Sequence, residues 1–312
     1  MKKTKLTALL LALTLLLTAC GGTSSAAQSS APTESSSDAA IAFTDMLGRE
    51  IALDAPASRV IALSAADCEI IYALGAEDAL IGRGEYCDWP SEVLDVPALA
   101  SGRETNIEQI LALNPDVLLM ADMDQTEEQV AQLENAGITV VVSDADDIDG
   151  VYQSIGNTGK MLGKDAEAAA LIANMKDTFR SISENSDNEG KTIYFEVSPL
   201  QYGLWAGCAD TFMNEIAEMM DLTNIFSDIS GWCEISEEQV IERAPDYIVT
   251  VSMYFGEGPT PEEEILSRSG WESIPAVKNG KILNLANNEL SRPGPRLADG
   301  AQALYDFISA AS

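Results

Sequence analysis

Glu108 and Glu238 stand in nearly the same phrase, 130 residues apart: 106–120 reads NIEQILALNPDVLLM, and 231–251 reads GWCEISEEQVIERAPDYIVTV. Glu108-Gln109 lies over Glu238-Gln239, and Pro115-Asp116 over Pro245-Asp246. A carboxylate pair can serve as acid and base in hydrolysis when the two groups lie within about 10 Å of each other. A repeated helix-to-strand phrase instead puts each carboxylate in its own structural unit, too far apart for one reaction centre. Two carboxylates held on rigid units suit another task, since they fix a partner's orientation as well as attract it. Other catalytic sets are missing. The chain has no histidine to act as base, no Gly-x-Ser-x-Gly elbow, no Gly-x-x-x-x-Gly-Lys loop and no Cys-x-x-Cys pair. A binding protein is expected, not an enzyme.

The second set of candidates is aromatic. Tyr86, Trp89, Trp205, Trp232 and Tyr254 fall where strands are expected to run into loops, together with the Arg292–Arg296 segment. Broad aromatic faces suit a large, flat or macrocyclic ligand. The lack of histidine argues against a zinc or manganese receptor and excludes a His-ligated haem. Tyrosine-ligated haem stays open through Tyr86, Tyr202 or Tyr254. A metal already wrapped by its own chelator needs no protein ligand at all. Eighteen basic residues against 50 acidic give a net charge of −32, which repels nucleic acid and anionic lipid. It also disfavours an anionic chelate unless Arg83, Arg103 and Arg292 cluster at the site.

The elements that must position these residues follow from the apolar runs. RVIALS (59–64), DVLLMA, TIYFEVS (192–198) and DYIVTVS are continuous, as in strands covered on both faces. NAGITVVVSDA and KNGKILNLA each place a glycine before a strand late in each half. Strands alternating with helical segments predict α/β units with mostly parallel sheets, in two three-layer lobes over 41–147 and 190–312. A helical segment, 148–189, links them. Within it Ile172, Met175, Phe179 and Ile182 form one stripe, and a single long helix over about 165–184 is expected, with Asp165 as N-cap. So rigid a connector predicts small relative motion and a ligand cleft between the lobes.

Upstream, residues 1–20 (MKKTKLTALLLALTLLLTAC) have a lysine-rich start and a short apolar run, and read as an export signal. Its end, Leu17 to Cys20, resembles the bacterial lipobox, which implies cleavage before Cys20 and acylation there. Residues 21–40 hold no large apolar side chain and read as a Ser-rich disordered tether, spanning roughly 25 Å on average. The folded part is expected outside the cytoplasm, held near the membrane by lipid.

Signal, tether, two α/β lobes and linking helix together resemble the helical-backbone substrate-binding lipoproteins of ABC transporters for cobalamin and ferric siderophores. The phrases GRGEYCDWP (82–90), GWCEISEEQV (231–240) and LSRPGPRLADG (290–300) carry that resemblance with the echo. It implies a permease dimer with ATPase subunits as partner, Glu108 and Glu238 each meeting an arginine of one permease subunit, and a monomeric receptor. It implies that Tyr86 and Trp232 flank a corrinoid, with Arg292 on its amide-rich rim; Trp89, Trp205 and Tyr254, by their loop positions, and Arg103, by its charge, are further candidates for the same cleft. Gly102 and Ala121 stand where the corrinoid binder has aromatics. Corrinoid is the first reading and ferric siderophore the second; a surface or sensor lipoprotein would share the anchor without needing the echo. Four cysteines remain after Cys20 and allow three pairings. One bridge in each lobe, Cys68–Cys87 and Cys208–Cys233, is expected, with four free thiols as the rival.

Overall fold

The computed structural model describes residues 41–121, 127–254, 256, 258–286 and 288–311. The export signal, the tether and Cys20 lie outside the described residues, as does the side chain of Arg103. The first lobe is built on five parallel strands in the order Ala98–Leu99, Leu80–Gly84, Val60–Ala62, Val117–Met120, Thr139–Val142. The chain starts in the middle, at Val60, and winds outward to either side. That arrangement opens a crevice at the carboxyl ends of the central strands. A hairpin of Ile41–Thr44 and Glu50–Leu53 precedes the sheet.

The second lobe repeats the plan with an addition. Lys191–Ser198, Tyr247–Thr250 and Ile282–Asn284 run parallel, with Leu222–Asn224 pairing in parallel against the start of the first. At the other edge Leu204–Gly207 and Trp232–Ile235 pair antiparallel. Trp232 therefore sits on the edge strand and Trp205 on the strand next to it, rather than on strand-to-helix loops. The alternation Leu204 in, Trp205 out, Ala206 in is the period-two pattern that a strand with one covered face requires.

The echoed phrase has a structural cause in both lobes. Helices Ile107–Leu113 and Glu237–Arg243 start on Asn106 and Ser236, whose side chains accept from the backbone N–H of Gln109 and Gln239. Both end on a residue in the left-handed region, Asn114 (φ 48°) and Ala244 (φ 46°), so the pre-proline position stops the helix there rather than in extended backbone. The aspartate after each proline then reaches to the next strand. Asp116 Oδ2 accepts from Ser58 N, Ser58 Oγ and Arg59 N, each at 3.0 Å. Asp246 Oδ2 accepts from Thr192 N at 3.0 Å and Thr192 Oγ1 at 3.3 Å. Burial opposes ionisation of Asp116, but the bonds from Ser58 and Arg59 outweigh it and hold its carboxyl below the usual range. Pro-Asp is thus a clamp between neighbouring parallel strands, made once per lobe.

Two helices link the lobes. Ile148–Leu162 starts on Asp147 and ends on left-handed Gly163, and Ala57 N donates to Met161 O, tying that end to the first lobe. Asp165–Asn185 then carries the chain across, with Lys164 rather than Asp165 at its cap. Its far end is held by Tyr305 Oη, which donates to Asn185 O, and by Asn188 Nδ2, which donates to Met220 O. The two helices cross closely at Gly159, where a Cβ would stand 2.5 Å from Ala168 Cβ. Ala168, Met175, Phe179 and Ile182 face inward, and Ile172 is half-buried. They join one apolar cluster with Ile70 and Leu74 of the first lobe, Ile148, Val151 and Ile155 of the link, and Leu290, Leu297 and Leu304 of the second. This one cluster spans both lobes, while each of the others reaches only one lobe.

Candidate ligand site

The turns after Lys191–Ser198 and Tyr247–Thr250 enclose a cavity of about 730 Å³ at the carboxyl end of the second sheet. Leu200, Tyr202, Met253 and Tyr254 form its walls, and Glu196 and Glu264 bring two carboxylates to it. Tyr254 Oη donates to Gly258 O at 3.3 Å, which braces the wall. Pro261 and the Thr260–Glu263 capping box start helix Pro261–Ser267, which presents Glu264 one turn later. Beyond it Arg268 turns inward. Its Nη1 donates to Glu196 Oε2 at 2.6 Å and Nη2 to Glu196 Oε1 at 3.0 Å, while Nε and Nη2 also reach Glu264. Glu196 and Arg268 side chains are each 1% exposed. Burial pushes the Glu196 carboxyl up, and the paired bonds from Arg268 oppose that. Burial works against the Arg268 charge too, but its bonds to Glu196 and Glu264 prevail and raise its pKa.

The remaining candidates gather at the junction of the lobes. Trp232 packs on Phe212 with ring centres 5.2 Å apart, and its Nε1 donates to Asp146 Oδ1 at 3.2 Å. Arg292 Nη1 donates to Glu69 Oε1 at 2.9 Å and Asp88 Oδ1 at 2.7 Å, and Nη2 to Tyr86 O at 3.3 Å. Arg296 makes a two-pronged pair with the same Glu69, Nε to Oε2 at 2.9 Å and Nη2 to Oε1 at 2.7 Å, and lies 4.6 Å over the Trp89 ring. The 292–296 segment is therefore an ionic clasp onto helix Ala65–Ala73 of the first lobe. Tyr86 is left 67% exposed at the end of its strand. Gly84 sets that approach, because a Cβ there would stand 2.1 Å from Leu63 O. Arg83 is buried and spends its N–H groups on the carbonyls of Gly84, Cys87 and Val96. Of the three arginines that would have to cluster to offset an anionic chelate, the two whose side chains are described, Arg83 and Arg292, are both engaged by protein groups.

The first lobe also holds a buried acid at its strand ends. Asp67 Oδ1 accepts from Ser143 Oγ at 2.6 Å, and Oδ2 has no hydrogen-bond partner. Burial, with Asp144 adding to it, pushes the Asp67 carboxyl up to about 7 against the pull of Ser143 and Ser64.

One expected bridge is present and one is not. Cys208 and Cys233 are bonded, joining the end of strand Leu204–Gly207 to the edge strand Trp232–Ile235. Cys68 and Cys87 are two buried thiols, both directed at the Ala62 carbonyl, at 3.6 and 3.9 Å. The contact with Cys87, then burial, pushes the Cys68 thiol well above its ordinary value, which denies it the thiolate that oxidation needs. They behave as small core hydrophobes.

Glu108 and Glu238 are both exposed, at the second position of their helices, one in each lobe. The backbone at the helix start and Ser236 hold the Glu238 carboxyl below its usual range. Tyr254 is in the cavity; Trp89, Trp232 and Arg292 are at the junction; Trp205 stands on the strand next to the edge. Glu196, Glu264 and Glu69 were missed. The capping signature Thr260-x-x-Glu263 marks the helix that carries Glu264, but a pair such as Arg292–Glu69, 223 residues apart, leaves no local trace.

Comparison with known proteins agrees with this geometry. The chain is 30% identical over 275 residues to the ABC transporter substrate-binding lipoprotein YvrC of Bacillus subtilis (strain 168), covering 86% of this chain and 85% of that protein. It is 26% identical to the vitamin B12-binding protein of Pectobacterium carotovorum subsp. carotovorum (strain PC1), over 81% of this chain and 89% of the relative. A solved structure of a possible iron-binding (periplasmic solute-binding) protein from Staphylococcus epidermidis ATCC 12228 superimposes with a TM-score of 0.69 at 28% identity, covering 81% of this chain and 99% of that one. The periplasmic binding protein family matches residues 60–289, and the chain belongs to that family.

Proposed function

We propose that this protein is the receptor of an ABC importer: it captures a large metal chelate outside the cytoplasm and hands it to the permease. The observation that carries this is the tyrosine-walled cavity at the carboxyl end of the second sheet, in a chain with no histidine to ligate a bare ion. At about 730 Å³ it falls within the range of small-molecule sites. Corrinoid is the leading ligand, supported by the likeness to a vitamin B12-binding protein. Ferric siderophore is the second reading, with Tyr-ligated haem beside it because Tyr202 and Tyr254 both line the cavity. The shared core and the Arg292–Arg296 clasp favour slight closure over a wide swing. A lipid anchor on Cys20 completes the arrangement, and among the described residues no helix is long and apolar enough to cross a membrane.

Tryptophan fluorescence of the purified protein, corrected for ligand absorbance, is expected to show saturable one-to-one quenching by cyanocobalamin or by a ferric hydroxamate. No response to any chelate would remove the proposal. Docking is tested separately. Glu108→Lys with Glu238→Lys is expected to abolish uptake in cells while chelate affinity stays within about twofold, because both groups are solvent-facing and bear on orientation and encounter. Unchanged uptake in the double variant would end the docking role.

A further inference from the structure

We infer that the cavity selects chelates that carry no net negative charge and that present hydrogen-bond donors to its carboxylates. This rests on the chelate-receptor reading and narrows it to a ligand class. Among the described residues the cavity lining holds Glu196 and Glu264 and neither lysine nor arginine. Behind it Arg268 is shared by both carboxylates, so two negative charges face one positive, and the wall keeps one net negative charge. Glu264 is the accessible member, its side chain 35% exposed, with oxygens free to accept more than the Arg268 bonds.

No described arginine at the junction offsets this charge. Arg83 is buried on backbone carbonyls, Arg292 is paired with Glu69 and Asp88, and Arg296 with Glu69. Withdrawing Arg292 toward an anionic ligand would take from buried Glu69 one of its two arginines and from exposed Asp88 its partner, which makes recruitment costly. The surrounding protein adds a net charge of −32 in the same sense. One like-charge pair about 6 Å apart in a protein-like dielectric costs about a hundredfold in affinity. Amide, hydroxyl or ammonium donors on a neutral or cationic chelate would instead gain a charge-assisted bond at Glu264. A tris-catecholate complex, or a haem with its two carboxylates, is disfavoured on both counts.

The test ranks four probes by fluorescence titration: cyanocobalamin, an uncharged ferric trihydroxamate, a ferric tris-catecholate and haemin. At least one of the first two is expected to bind about 100-fold or more tighter than either of the last two. Glu264→Gln keeps the Glu196–Arg268 pair and is expected to weaken the preferred chelate about tenfold while narrowing the gap to the anionic ones. A wild-type protein that binds the catecholate or haemin as tightly as the neutral chelates overturns the inference and leaves the chelate-receptor reading standing. Silence toward all four overturns both. The wild-type ranking decides the matter even where Glu264→Gln lowers the melting temperature.

Discussion

Glu69→Ala is expected to remove about 3–5 kcal/mol of stability, measured by guanidinium denaturation at neutral pH. Glu69 is buried, and both its oxygens are engaged by arginines from the far end of the chain, Arg292 and Arg296. Removing the carboxylate leaves two largely buried guanidiniums short of a charged partner, with Asp88 still available to Arg292. Desolvation of those cations is then less fully compensated, which is why breaking such a cluster costs more than it contributed when formed. Glu69→Gln keeps an acceptor and is expected to cost less than Ala. Replacing Glu69 by Leu and Arg296 by Met together removes the uncompensated charge as well, and should recover part of the loss. A loss below about 1 kcal/mol for Glu69→Ala would show that the clasp does not hold the lobes together.

The parts of the fold that repeat were the parts legible in the sequence. The Asn106–Gln109 and Ser236–Gln239 caps, the prolines at 115 and 245 and the buried strands behind them are local signals, set within a few residues. The helix at 165–185 announced itself by its stripe for the same reason. What the echo meant was only half visible. Asp116 and Asp246 look like loop acids in sequence, and their clamp on Ser58 and Thr192 needs strands brought together across 58 and 54 residues. Trp205 and Trp232 were misplaced because four-residue strands around glycines look like loops.

The site was less legible than the fold because its electrostatics are non-local. Arg292 was expected at a ligand, yet its partners come from Glu69 and Asp88 of the other lobe. The acids of Pro261–Leu266 carry no site signature in the sequence, yet one of them, Glu264, reaches the cavity through a helix start that the same run encodes. Cysteine spacing placed both pairs within lobes but could not separate a bonded pair at the sheet edge from two thiols enclosed in a core. In each case charge or contact across a long separation decided the outcome. Counting residue types along the chain sees none of it.

Asp67→Asn is expected to raise stability by about 2–4 kcal/mol at pH 8 and to change it little at pH 4. The carboxyl is pushed up to about 7 from the ordinary 3.8, so the folded protein favours its neutral form. Below about pH 4 the acid is protonated in the folded and unfolded chains alike, and it adds no pH dependence. As pH rises from about 4 to 7 the unfolded chain releases the proton while the folded chain keeps it, so stability falls; above about 7 both have released it and the loss is complete. Three units at about 1.4 kcal/mol each set the upper figure. Asparagine does not titrate, keeps an oxygen for the Ser143 hydroxyl, and replaces the unpartnered Oδ2 with an uncharged group. The measurement is denaturation of both proteins at several pH values, reading the difference between them, so that the other 49 acids cancel. A constant difference from pH 4 to 8 would mean that Asp67 titrates alike in both states, and that solvent or a charged partner reaches its carboxylate in the native protein.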